Sequence, residues 1–127
     1  MRFVMFMYPR ISDEDWTPDD AEAMEEMGRY NDELRKAGIL LSLDGLHPPA
    51  TGAHVDFDLD GGKTVLDGPF AETKEVVGGY WLIDVSSQQE AVEWASRVPG
   101  RACTVEVRRV FEVEDFPPEV QEAAARA

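Results

Sequence analysis

The chain has 127 residues, which is the length of one domain, and 43% of them are hydrophobic, which argues against disorder throughout. Its 26 Asp and Glu residues outnumber its 12 Lys and Arg residues and leave a formal net charge of −14. Because nucleic-acid binders neutralise phosphates with Lys and Arg, this balance argues against a nucleic-acid partner, and an anionic membrane surface would repel the chain as well.

The cysteine content and the N-terminal sequence indicate the compartment. Cys103 is the sole cysteine, so the chain has no internal disulfide and no cysteine cluster for zinc. The first residues form a short apolar run followed by acids, without the longer apolar stretch of a signal peptide, and no apolar run approaches the length of a membrane span. We therefore expect a cytoplasmic protein.

The first predicted element is a strand over residues 2–8. Alternate side chains of a strand point to opposite faces. Both faces are apolar here, with Phe3, Met5 and Met7 on one and Val4, Phe6 and Tyr8 on the other. We expect other parts of the protein to cover both faces of this strand.

A helix is predicted next, with Thr17 as its cap, Pro18 as its first residue and a left-handed Gly38 at its end. Its apolar stripe consists of Met24, Met27, Tyr30, Leu34 and Ala37. The same region is acidic, since residues 13–33 hold ten acids and one base. Such a run indicates either a solvated helix face or an acidic surface for a basic partner.

The rest of the chain alternates strands with one further helix. Strands are predicted over 39–46, 55–59, 63–66, 79–85 and 103–113, with a hairpin turn at 60–62. The helix begins after a capping box formed by Ser87 and Glu90 and ends at Pro99 and Gly100. We divide the chain into an α+β domain over 1–112 and an acidic C-terminal tail over 113–127, whose Ala-rich stretch can form a loosely docked helix.

This order of elements predicts a ferredoxin-like, split βαβ fold, in which an antiparallel sheet carries two helices on one face. The other face needs a cover, because the strands over 2–8 and 79–85 are apolar on both sides and no third helix is long enough to shield them. A second copy of the sheet is the simplest cover. We expect a homodimer with its sheets face to face.

The loop DGPFAETKE, over residues 67–75, carries the strongest local signal for a site. The loop can be purely structural, because Asp67 can bond to downstream amides and Gly68 allows a positive φ. Alternatively, Asp67 lies at a strand end beside the dimer interface, where apolar surroundings would let it accept or donate a proton. Lys74 would then hold an anionic ligand, and the other expected ligand contacts are His47, Phe70 and Tyr80.

No cofactor or metal is expected from the motifs. His47 and His54 are seven residues apart with two prolines between them, so they cannot pair on one helix. The run GGK over 61–63 lacks the glycine spacing of a phosphate-binding loop. Cys103 is interpreted as a small buried hydrophobic residue of the last strand.

The run over 67–75, followed by Gly78-Gly79-Tyr80, closely resembles the DGPF group of the YciI-like (YCII-related) family. The resemblance covers residues 1–112 and is supported by further runs at Ala37–Leu40, Gly45–Pro49, Glu93–Ala95 and Val105–Arg108. It implies a dimeric α/β-barrel with a ferredoxin-like fold. Members of the DGPF group are often encoded near extracytoplasmic-function sigma factors, which implies by association a regulatory or accessory role.

The resemblance does not extend to the active site of the wider family. Many YciI-like proteins carry a His in the first helix and an Asp after the second. Here Met27 stands where we expect that His, and the chain after the second helix reads Arg97-Val98-Pro99. Three functions stay open: a small-molecule-binding dimer, an accessory protein that contacts a sigma factor, and a lyase- or isomerase-type enzyme that uses Asp67.

Overall fold

The computed structural model describes residues 1–10, 21–68 and 76–126 and shows a mixed α+β protein, as the sequence predicts. The start of the first helix predicted at 17–18 lies outside the described residues. The elements of the described chain are β1 Arg2–Pro9, α1 Ala21–Lys36, β2 Leu40–Gly45, β3 Ala53–Phe57, β4 Lys63–Asp67, β5 Gly79–Asp84, α2 Gln88–Ala95, β6 Cys103–Arg109 and α3 Pro118–Arg126.

Four of these strands form one antiparallel sheet in the order β2-β5-β1-β6. Met5 in β1 lies opposite Trp81 in β5 and Val107 in β6, so these three side chains share one face of the sheet. The neighbouring residue Phe6 lies opposite Tyr80 and shares the other face with it. The register therefore divides the apolar residues of β1 and β5 between two faces.

One face of the sheet carries the core of the protein, and α1 and α2 both bury side chains on it. The buried cluster consists of Phe3, Met5, Tyr30, Leu34, Trp81, Ile83, Val85 and Ala91. Tyr30 and Leu34 come from the apolar stripe predicted for α1, and Ala91 comes from α2. Met24, also predicted in that stripe, is 55% exposed because it lies a turn beyond the packed part of the helix.

Tyr30 in α1 contacts residues of both α2 and β5. Its hydroxyl donates a hydrogen bond to the Trp94 carbonyl oxygen at 2.7 Å, and its ring meets Trp81 edge to face with centroids 5.7 Å apart. Burial raises the pKa of Tyr30 well above its ordinary value, because it disfavours the phenolate. Trp81 in turn donates from Nε1 to Asn31 at 2.8 Å, so the buried polar groups of this contact are paired.

Hydrogen bonds at the N-terminus of α2 differ from the predicted capping box. The Ser87 hydroxyl accepts a hydrogen bond from the Glu90 amide at 3.1 Å, as predicted. The Glu90 carboxylate instead accepts from the amide and the hydroxyl of Ser86, at 2.8 and 2.7 Å. These bonds lower the pKa of Glu90 because they favour the charged form.

Strands β3 and β4 form a separate two-stranded hairpin. Its predicted turn is confirmed: Gly61 has a left-handed φ of 86°, and the Asp58 carboxylate accepts from the Gly62 amide at 2.7 Å. All ten strand residues of this hairpin are exposed. Val55 and Val65 lie opposite each other on one of its faces, so the hairpin has an apolar face in contact with solvent.

The last strand is shorter than predicted, because β6 ends at Arg109 rather than at residue 113. Its partner β1 begins at Arg2, and Phe3 opposite Arg109 is the last pair of the ladder. The tail is nevertheless tied to the sheet: Arg2 donates to both carboxylate oxygens of Glu112, at 2.7 and 3.0 Å, and Arg109 contacts Asp115 at 3.3 Å. The predicted tail helix is present as α3, and none of its described residues is buried.

Candidate functional site

The segment over residues 46–52, which we call the 46–52 junction, brings the ends of three strands together. At one end, the Leu46 amide donates to the Gly78 carbonyl oxygen at 2.9 Å, beside the start of β5. At the other end, the Gly52 carbonyl oxygen accepts from the Gly68 amide at 3.0 Å, directly after β4. The predicted site residues His47, Asp67 and Tyr80 therefore all belong to segments that meet at this junction.

Gly68 is required by the close approach of two backbones. A Cβ atom at this position would collide with the carbonyl oxygen of Ala50 and would lie 2.7 Å from its carbonyl carbon. Gly68 does not use the positive φ that its residue type allows, since the left-handed glycines of the described chain are Gly38 and Gly61. Gly38 at the end of α1 agrees with its prediction. The glycine of the DGPF run thus serves packing rather than a turn.

Asp67 is the last residue of β4, and its side chain is exposed. Its carboxylate accepts no hydrogen bond from a described residue, although Gly68 beside it is tightly packed. The carboxylate therefore projects from a well-anchored piece of backbone without a described structural partner. Asp67 shares a face of the hairpin with Val55 and Val65, but all of these residues are exposed, so the proton-transfer role stays a prediction.

Tyr80 lies on the face of the sheet opposite the core. Its hydroxyl donates to Asp44 Oδ2 at 3.1 Å, which links β5 to β2 near the junction. A comparable pair lies on the same face, where the Tyr8 hydroxyl donates to Glu106 Oε1 at 3.0 Å. Neither pair could be predicted from the sequence, because only the strand register places each tyrosine beside its carboxylate.

The predicted site residues do not form a single bonded cluster. His47 is exposed directly after the end of β2, and the described hydrogen bonds and ion pairs join it neither to Asp67 nor to Tyr80. Phe70 and Lys74 lie outside the described residues. Within the described ranges, no group of three or more His, Cys, Asp or Glu side chains could hold a metal ion. No described helix has the length and apolar character needed to cross a bilayer.

A groove between α2 and β6 was not predicted from the sequence. It has a volume of about 500 Å³ and is lined by Gln88, Val92, Ala95, Ser96, Val98, Gly100, Cys103, Val105 and Val107. The expected alternation of Cys103, Val105 and Val107 on one face is present. Cys103, however, is half-buried at an open groove rather than enclosed in the core.

Met27 stands where we expect the His of the wider family, and Arg97 begins the run after α2 where we expect its Asp; both contact neighbouring side chains. Met27 packs against the buried cluster from α1. The Arg97 guanidinium lies over the Trp94 ring, 3.8 Å from its centroid. Neither side chain can exchange a proton in the manner of a His or an Asp at neutral pH.

Comparison with known proteins identifies the family. The model of the YCII-related domain matches residues 1–114, which include β1 to β6, α1 and α2. An uncharacterized protein of Rhizobium meliloti (strain 1021) is 35% identical over 77 residues, which span 61% of this chain and 61% of that protein. Because the family model covers nearly the whole chain, this protein belongs to the YCII-related domain family.

Proposed function

We propose that this chain works as a homodimer of the dimeric α/β-barrel type, which binds a small molecule at the 46–52 junction beside Asp67. The observation that carries the proposal is the exposed Asp67 carboxylate, without a described partner, next to the tightly packed Gly68. The run over 67–75 supports placement in the DGPF group. The order β2-β5-β1-β6 supports the ferredoxin-like topology, because the strands that precede α1 and α2, β1 and β5, are the central pair of the sheet.

The homodimer is argued from the sheet face opposite the core, which we call the uncovered face. Val4, Phe6 and Leu82 occupy its centre and are half-buried, while α1 and α2 bury their side chains on the other face. Its charged rim has both signs: Arg108 lies in β6 beside Val4, and Asp44 and Glu106 lie in the row of Phe6. A two-fold contact would bury the apolar centre and bring opposite charges together.

The ligand site is argued from position and charge. Asp67 and His47 are exposed at the junction, and Tyr80 opens onto the uncovered face through its hydroxyl and Asp44. A second copy on that face would add a wall to this region and reduce its contact with water. Lys74 and Phe70 follow Asp67 within seven residues and remain the proposed contacts for an anionic and an apolar part of the ligand.

A thermal-shift screen against a small-molecule library tests the ligand proposal. We expect at least one compound class to raise the melting temperature of the wild type and to lose that effect with Asp67→Asn. Asp56→Asn is the matched control, because Asp56 is an exposed aspartate of the same hairpin, in the partner strand of Asp67. Compounds that stabilise all three proteins equally, or none of them, contradict a site at Asp67.

A regulatory role is the second candidate, and the exposure of the α1 acids favours it. Glu25, Asp32 and Glu33 are exposed on α1, as an acidic docking surface requires. The partner implied by the resemblance is an extracytoplasmic-function sigma factor with a basic patch. A pull-down with such a factor should lose its signal when these three acids become amides and when salt is raised. Binding that ignores both changes contradicts this candidate.

A further inference from the structure

Among the described residues, the groove between α2 and β6 is open on the core side of the sheet, and apolar side chains line it together with Gln88 and Ser96. β6 is an edge strand of the sheet, so no further strand lies on its outer side. In the described part of the chain, α2 packs over the inner side of β6 and leaves the groove accessible from the outer side. Val92 and Val98 line it from the helix and the segment after it, and Val105 and Val107 line it from the strand. A groove with apolar walls can receive the apolar face of an amphipathic helix.

Two arginines stand at one end of this groove. Arg97 and Arg101 are next to the lining residues Ser96, Val98 and Gly100 in the sequence, and both are exposed. Neither forms an ion pair with a described residue, and Arg97 is held in place by its contact with the Trp94 ring. In a chain of net charge −14, this gives the groove a basic end.

The C-terminal tail exposes apolar side chains that a groove could bury. Phe111, just before the tail, is exposed, and so are three apolar side chains of the tail: Val113, Phe116 and Val120. This segment is tied to the sheet through Glu112 and Asp115. Phe111 and Phe116 stack with centroids 5.0 Å apart. Gln121 donates to the Phe116 carbonyl oxygen at 2.8 Å and holds the start of α3 against this pair. The tail is therefore an ordered apolar element that buries none of its described helical residues.

Helix α3 is amphipathic in a way that fits the groove. Val120, Ala123 and Ala124 are spaced three and four residues apart and share one helix face. Glu119 borders that face, and Glu122 lies on the opposite side of the helix. An amphipathic helix that places such a face in a groove with apolar walls is a recurring mode of recognition, and Glu119 at the border of that face would meet Arg97 or Arg101.

We propose that α3 of one chain docks in the α2–β6 groove of a second copy of this chain, and reciprocally. Within one chain the Glu112 and Asp115 contacts anchor the tail at the Arg109 end of β6, and from there α3 leaves its own groove open. A reciprocal exchange gives a closed two-fold dimer, in which the tail of each chain fills the groove of the other. The exchange extends the proposed homodimer and does not require the ligand site.

A mixed disulfide between two distinguishable copies tests the exchange. One copy is the wild type, in which Cys103 in the groove is the sole thiol. The other copy carries Cys103→Ser with Val120→Cys, so a disulfide that joins the two copies links a groove to a tail of different chains. The control second copy carries Cys103→Ser with Glu122→Cys, on the other side of α3. Both pairs are co-expressed and mildly oxidised.

The expected result is a mixed disulfide from Val120→Cys in at least about tenfold greater yield than from Glu122→Cys, because a disulfide requires close Cβ atoms. Arg101→Glu in the wild-type copy should slow its formation at low salt, since it reverses the charge that meets the tail. Equal yields from the two positions, no mixed disulfide, or an internal disulfide when Val120→Cys is placed in a chain that keeps Cys103 each overturn the exchange.

Light scattering on the same samples, measured before oxidation, separates this proposal from the sheet-face dimer. A particle of two chains that gives no mixed disulfide overturns the exchange and leaves the sheet-face contact standing. A particle of 14.2 kDa, the mass of one chain, overturns both. A particle of two chains with the mixed disulfide, which persists when the uncovered face is disrupted by Phe6→Arg, supports the exchange as an interface in its own right.

Discussion

The two faces of the four-stranded sheet are built from neighbouring residues of the same strands, yet they end in different environments. Phe3, Met5 and Ile83 on the helix-covered face are 0 to 2% exposed. Val4 and Phe6, which alternate with them in β1, are only half-buried. The covered face is completed by α1 and α2 of the same chain. The uncovered face is apolar at its centre as well, and we propose that a second copy of the chain covers it.

Substitutions at the adjacent residues Met5 and Phe6 in β1 should show the largest difference in unfolding free energy between the two faces. Met5→Ala is expected to cost about 2–5 kcal/mol of unfolding free energy, because it removes a fully buried side chain and leaves a cavity under the helices. Phe6→Ala should cost less at low protein concentration, and its effect should grow with concentration if a second chain covers it. Urea unfolding at two protein concentrations measures both. Equal, concentration-independent costs contradict the comparison.

A charge on the uncovered face should weaken the sheet-face contact without unfolding the chain. Phe6→Arg places a guanidinium in the centre of that face, and we expect the sheet-face contact to weaken by at least about a hundredfold. Light scattering should show a shift toward the mass of one chain, 14.2 kDa, if that contact alone holds the dimer. Phe57→Arg is the control, because Phe57 is 66% exposed on the hairpin. A change in mass with the control alone would place the interface on the hairpin.

Gly68→Ala tests the packing of the junction. We expect a loss of about 1–3 kcal/mol, since the added methyl group collides with the Ala50 backbone and the segments must move apart. Gly45→Ala is the matched control, because a Cβ atom there meets open space. Thermal unfolding of both variants measures the difference. A Gly68→Ala protein as stable as the wild type would show that the junction yields easily.

Ser87→Ala should have a smaller effect. The substitution removes the hydroxyl that accepts from the Glu90 amide, and a lost helix cap costs about 1 kcal/mol. Ser96→Ala serves as a comparison at the other end of α2, where the hydroxyl only donates back to the Val92 carbonyl oxygen. Chemical unfolding should show the larger loss at Ser87, and the reverse order contradicts the capping role.

The smallest expected effect is the pH dependence contributed by Glu112. The hydrogen bonds from Arg2 lower the pKa of Glu112 in the folded chain. A lowered folded pKa stabilises the fold above the unfolded pKa of about 4.3, and the contribution is lost as the pH falls through the folded pKa. Glu112→Gln should therefore make the acid-side decline of stability shallower, as measured by urea midpoints. Glu114→Gln is the control, and an identical change with both contradicts the Arg2 contact.

Much of the fold could be predicted from local patterns. The alternation in β1, the stripe with Tyr30 and Leu34, and the glycine at the end of α1 each determine an element within a few residues. The hairpin turn could also be predicted locally, because a turn with a positive φ favours glycine and Gly61 has a φ of 86°. The run over 67–75 led to the family, which the match over residues 1–114 confirms.

The site could be predicted only in part. The carboxylate of Asp67 and the phenol of Tyr80 were selected by residue type, but their surroundings depend on how the 46–52 junction closes. Gly68 is the clearest example of what the sequence could not predict. Its residue type allows a positive φ, whereas the structure requires glycine there because the backbone of Ala50 lies so close. A contact between segments distant in the sequence has no local signature.

The sequence by itself determined which segments are strands and helices and that both faces of β1 are apolar, because side-chain period and turn chemistry act over a few residues. Only the tertiary structure decided which of those faces α1 and α2 cover, where β6 ends, and that a groove stays open between α2 and β6 among the described residues. These properties depend on strand order and register, which bring together residues as far apart as Arg2 and Glu112.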